Sequence, residues 1–80
     1  MGEKVKVISV SSNGIGKIKI GNDVYVIYDD QWKRDGEVMT SFCTAPRALL
    51  SAIVDIADDY PQLNGTAEIA RKFLSKNKRP

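Results

Sequence analysis

The stretch Lys17-Ile18-Lys19-Ile20-Gly21-Asn22-Asp23-Val24-Tyr25-Val26-Ile27-Tyr28 carries the clearest statement of architecture in this chain. Apolar residues run in short extended stretches on either side of a Gly-Asn-Asp break, with strict apolar/polar alternation before it. A period of two makes a strand with two faces, and the break turns one strand back on the next. Downstream of Pro46 the period changes: Leu49, Ile53, Ile56 and Tyr60, then Ile69 and Phe73, recur at helical spacing. Strands come first and helices second, which predicts an α+β fold with a sheet covered on one face by two helices.

Extended to the rest of the chain, the pattern predicts a four-stranded antiparallel β-meander followed by two α-helices. The strands are Lys4 to Ser11, Ile15 to Ile20, Val24 to Asp29 or beyond, and Glu37 to Cys43. Asn13-Gly14 and Asp35-Gly36 are tight-turn signals because both positions tolerate positive φ. Two registers compete between the second and third strands. A two-residue loop sets Ile18 opposite Tyr25, and a three-residue loop sets it opposite Val26. The three-residue loop gathers four aliphatic residues on one face and is the expected one, since burial selects register. It turns Ile18, Ile20, Val24, Val26 and Tyr28 toward the helices. Lys4, Lys6, Lys17, Lys19 and Tyr25 then face away, with Ile8, Val10 and Ile27.

Thr44 is the expected N-cap of the first helix, with Pro46 in its first turn. This helix covers about 45–59 and stops before Tyr60-Pro61, because the residue before proline avoids the α region. Asn64-Gly65-Thr66 opens the second, about 66–76, whose buried stripe is Ile69, Ala70, Phe73 and Leu74. Residues 77–80 read as a frayed basic tail, and 1–80 as one small domain.

Composition narrows the function. With 42% hydrophobic and 28% charged residues, the 80-residue chain folds rather than stays disordered. A core of this size yields roughly 3–5 kcal/mol and leaves little room for a deep enclosed site. A formal charge of +2 does not by itself imply a nucleic-acid partner. The distribution says more, because Arg71, Lys72, Lys76, Lys78 and Arg79 follow Glu68 with no further acid. Histidine is absent and Cys43 is the only cysteine, which removes Ser-His-Asp and Cys-His chemistry, a structural zinc site and an internal disulfide. No cofactor is implied, and an enzyme is not expected. A disulfide-free small fold suits a reducing compartment, and there is no apolar run of ~18 residues, apolar leader or acylation signal. The expected location is the cytoplasm, with no membrane partner.

Several residues stand out. Trp32 and Arg34 precede the Asp35-Gly36 turn and are of the types most enriched at interface hot spots, although alternation places Trp32 toward the core. Asp55, Asp58 and Asp59 share one face of the first helix at spacings of three and four, near the end where acids oppose the helix dipole. A basic partner would relieve them. Lysines with an aromatic on an open sheet match the surfaces that hold single-stranded nucleic acid, which makes Lys4, Lys6, Lys17, Lys19 and Tyr25, helped by Lys76, Lys78 and Arg79, an alternative site. Gly14-Ile15-Gly16-Lys17 lies between two strands, where a hairpin explains its glycines. Cys43, between Phe42 and Thr44, reads as a small buried hydrophobe. Thr66 to Lys72 resembles the opening helix of a helix-turn-helix, but no recognition helix follows. The expectation is a non-catalytic regulatory module that contacts a larger protein or a protein–nucleic acid complex, in the manner of accessory inhibitors from phages or mobile elements. Nucleic-acid binding is the alternative, and the oligomeric state is open.

Overall fold

The computed structural model describes residues 4–76. It is an α+β fold: an antiparallel sheet in the order β1-β2-β3-β4-β5, followed by two helices. The strands are β1 (Val5–Val10), β2 (Gly16–Ile20), β3 (Asp23–Tyr28), β4 (Gln31–Arg34) and β5 (Thr40–Ser41). The helices are α1 (Arg47–Ile56) and α2 (Asn64–Lys76), each preceded by a short 3₁₀ turn, Phe42–Thr44 and Pro61–Leu63. The tail assigned to 77–80 lies outside the described residues. Among the described residues no helix is long and apolar enough to cross a membrane.

Turn chemistry sets the registers. Gly21 takes φ 61° in a two-residue turn, so Ile20 pairs with Asp23 and Ile18 with Tyr25. This overturns the three-residue loop expected above. A glycine at positive φ in the first central position matches strand twist, and hairpin register follows the turn. The consequence flips β3: Tyr25 and Ile27 face the helices, while Val24, Val26 and Tyr28 face away. Val10 packs against the core as well.

The first hairpin is not a two-residue Asn13-Gly14 turn. Gly14 N–H donates to Ser11 O at 3.1 Å and Ser11 N–H to Ile15 O at 2.9 Å, which leaves a three-residue loop closed by Gly14 at φ 88°. A bulge between Val7 and Ser9 then shifts β1 so that Lys6 pairs with Lys19.

The stretch expected to continue the third strand is split off as a strand of its own, and the expected fourth strand is shortened. The chain turns at Asp29-Asp30, with Asp29 at φ 57°, and β4 forms from the Trp32 segment instead. After Gly36, Glu37 N–H bonds back to Arg34 O, so 37–39 leave the ladder and Val38 is 84% exposed. Only Thr40 and Ser41 return, opposite Trp32 and Gln31.

The helix starts also differ from expectation. Ser41 caps the first 3₁₀ turn, its Oγ accepting from Cys43 N–H at 3.2 Å. Pro46, not Thr44, is the N-cap of α1, and no side chain caps it. The short 3₁₀-to-α junction leaves Cys43 exposed rather than buried. A single core joins Ile18, Ile20, Tyr25, Ile27 and Trp32 of the sheet to Phe42, Leu49, Leu50, Ile53 and Leu63. On α2, Ala67 and Ala70 are buried, and Ile69, Phe73 and Leu74 are half-buried at its margin.

Candidate functional site: the uncovered sheet face

Because both helices pack on one side, the sheet has a bare side whose composition follows from the registers. One cross-strand row reads Lys6, Lys19, Val24; the next reads Ser9, Lys17, Val26, Lys33; the last pairs Tyr28 with Gln31. Lys4 continues the alternation of β1 beside Gly21, whose N–H its carbonyl accepts at 3.2 Å. Five lysines, at 4, 6, 17, 19 and 33, thus stand on one face, interleaved with two valines and one tyrosine. Asp35, whose N–H donates to Val24 O at 2.9 Å, is the acid at the far end of the first row.

Neighbouring strands are about 4.8 Å apart and alternate residues along a strand about 6.7 Å, so these ammonium groups form a tight field. Lys6 and Lys19 lie directly opposite one another, and like charges so placed destabilise a sheet. Tyr28 is 45% exposed, and Ile8, in the bulge, is 47% exposed. The face therefore offers cations, one ring and a few aliphatic groups.

The residues singled out from sequence divide between this face and elsewhere. Lys4, Lys6, Lys17 and Lys19 are on it. Tyr25 is not: it is 6% exposed on the inner side, and Tyr28 holds the outer position instead. Lys33 also belongs to the face; its side follows from the β3–β4 register, and that of Tyr28 from the β2–β3 register. Lys76 is on α2, on the helix side of the sheet, with Nζ 6.0 Å from the Phe73 ring centre. Lys78 and Arg79 lie outside the described residues.

Trp32 is 9% exposed and part of the core. Its Nε1 donates to Ser41 O at 3.1 Å and to Thr44 Oγ1 at 3.4 Å, tying β4 to the start of the helical half. Its ring stands 5.9 Å from that of Tyr25, and Arg34 lies over Tyr25 at 5.8 Å. The Tyr25 hydroxyl, by hydrogen bonding and then by charge, raises the Arg34 pKa above its ordinary value, with Asp23 and Glu37 adding to the effect. Arg34, cationic as arginine always is, stands over the Tyr25 ring. Asp55, Asp58 and Asp59 are all exposed; α1 ends at Ile56, so Asp55 lies in its last turn and Asp58 and Asp59 in the turn that follows. Among the described residues no three His, Cys, Asp or Glu side chains converge to hold a metal ion.

The fold and this face define a class: a small antiparallel meander, shielded by helices on one side and basic on the other. Compared with protein-family models, with curated proteins and with solved structures, the chain matches none.

Proposed function

We propose that this chain is a small non-catalytic binding module that holds a nucleic-acid strand, free or within a protein–nucleic acid complex, on its uncovered sheet face. The observation that carries this reading is the direct opposition of Lys6 and Lys19 within a field of five lysines on an unshielded sheet. Such an arrangement costs folding free energy in isolation and is relieved by a polyanion. An exposed tyrosine beside the cations supplies a stacking surface that any base fits.

Titration of a labelled single-stranded oligonucleotide by fluorescence anisotropy tests it. If all five lysines engage phosphates, log K falls with log salt at a slope of about −3.5, on the order of 10²-fold between roughly 50 and 200 mM. No binding at low salt, or binding indifferent to salt, removes this reading.

A second reading has its own support. Val24 and Val26 form an apolar strip on β3 between the lysines of β2 and Lys33 of β4, and Ile8 adds an exposed aliphatic group on β1, so the face mixes apolar and charged groups as a protein interface does. On this reading the chain regulates a larger protein by covering part of it. A partner captured from the native host that stays bound after nuclease treatment and in high salt supports it, and a partner released by nuclease favours nucleic acid.

A further inference from the structure

The face ends at a cleft of about 200 Å³, where both hairpin tips meet the start of α2. Asn13 comes from the first hairpin, Tyr28 and Asp29 from the β3–β4 turn, and Gln62 and Thr66 from the helical half. The cleft is smaller than the ~300 Å³ at which pockets begin to enclose drug-sized ligands, and it is open to solvent. Gly65, with no atom within 4 Å of a Cβ placed on it, keeps one wall low. Thr66 is only 5% exposed, yet it borders the cleft.

We propose that this cleft is a subsite for one unstacked nucleobase of the bound strand, with Tyr28 as its stacking platform and Asn13, Asp29 and Gln62 reading its edge. The inference rests on the reading of the sheet face as a nucleic-acid surface. Three features lead to it. The cleft adjoins the lysine rows through Tyr28, so a strand following Lys17 and Lys33 delivers a base there. Its groups are those that recognise base edges: two amides that both donate and accept, a carboxylate that accepts only, and a hydroxyl. The carboxylate also sets a preference. The Asp29 carboxylate accepts from the exocyclic amino groups that guanine, cytosine and adenine carry, whereas the ring N–H of uracil or thymine lies between two carbonyl oxygens that a carboxylate repels, so the subsite takes guanine, cytosine or adenine ahead of uracil or thymine.

Two measurements separate this subsite from the face that feeds it. In an NMR titration with each nucleoside monophosphate, amides of Asn13, Gly14, Gly65 and Thr66 are expected to shift at millimolar concentration, least with UMP. Inorganic phosphate alone should leave them in place. The Asp29→Asn variant, which keeps a residue tolerant of positive φ, should erase the base preference. With oligonucleotides, Tyr28→Ala should weaken binding roughly 5- to 100-fold without changing the salt slope. Cleft amides that stay still with every nucleotide, or shift equally with phosphate, overturn the subsite. Salt-dependent oligonucleotide binding in that same case leaves the proposed function standing. Nucleotide shifts in the cleft without oligonucleotide binding remove the sheet-face reading and, with it, the cleft's role as a subsite of a bound strand, leaving a site for free nucleotides.

Discussion

A methyl group at Gly14 would stand 3.1 Å from the backbone oxygen of Gln62, and Gly14 also holds φ 88°. Two constraints thus meet at one residue, where the first hairpin lands on the 3₁₀ turn before α2. Gly36, at φ 87°, has open space where a Cβ would stand, with nothing within 4 Å, and carries the conformational constraint alone. Gly36→Ala is expected to cost about 1–2 kcal/mol in urea denaturation. Gly14→Ala should cost more, about 2–4 kcal/mol, because a backbone carbonyl cannot step aside as a flexible side chain can. Equal losses would mean that the hairpin does not rest on the helical half. Trp32 is the other decisive residue. Trp32→Phe keeps one aromatic ring, loses the Nε1 donor and leaves part of the indole volume empty, while Ser41 O retains Thr44 Oγ1 at 3.1 Å, so about 1–3 kcal/mol is expected. Trp32→Ala removes about 3–5 kcal/mol, comparable with the whole stability of so small a core, and should leave the chain unfolded by circular dichroism.

Among the elements, Leu63 links the two halves. It is fully buried in the 3₁₀ turn, and its Cδ2 lies 3.4 Å from where a Cβ would stand at Gly16 on β2. Gly16 lacks a side chain so that Leu63 and Ile27 can close over the strand. Leu63→Ala should cost about 2–5 kcal/mol, with loss of cooperativity between sheet and helices if the cavity does not collapse. The Phe42–Phe73 edge-to-face pair at 6.3 Å fastens the other end of α2 in the same way. How much of these elements is legible in the sequence depends on what each residue's neighbours require. Ile18 and Ile20 face the core and Lys17 and Lys19 face away, because no register can bury the lysines of β2 and expose its isoleucines. The side of Tyr25 is not legible, because β3 is apolar on both faces and a count of aliphatics cannot choose between them. Strand β5 is shorter than its composition suggests: Glu37 to Met39 look strand-like, yet the Gly36 turn leads them off the ladder.

For the molecule as a whole, charge and stability pull in opposite directions. Lys19→Glu would set an acid opposite Lys6 on the bare face. It should stabilise the fold by about 0.2–1 kcal/mol in thermal or urea unfolding, since opposite charges across a sheet attract. The same change should weaken oligonucleotide binding and flatten its salt dependence by more than one contact's worth, because it replaces a cation with an anion. A variant that is no more stable and binds unchanged would show that the opposition has no functional cost or use. The site is only half legible for a related reason. Alternation along single strands groups Lys4 with Lys6 and Lys17 with Lys19, and the bulge between Val7 and Ser9 puts both pairs on one face. Tyr28, Lys33 and the polar cleft arise from segments joined by turns, and no periodicity within one strand announces them.

Periodicity and composition alone establish the α+β class, the order of strands before helices, the sidedness of β2 and the absence of histidine-based chemistry. All of these are local properties of the chain. Alternation already places Trp32 toward the core, but the face that β3 presents, the burial of Tyr25, and the gathering of five lysines beside a cleft emerge only on folding. Those depend on whether a turn takes two residues or three. A glycine's φ and the packing of aromatic rings against distant helices settle that choice, and the packing is long-range in sequence.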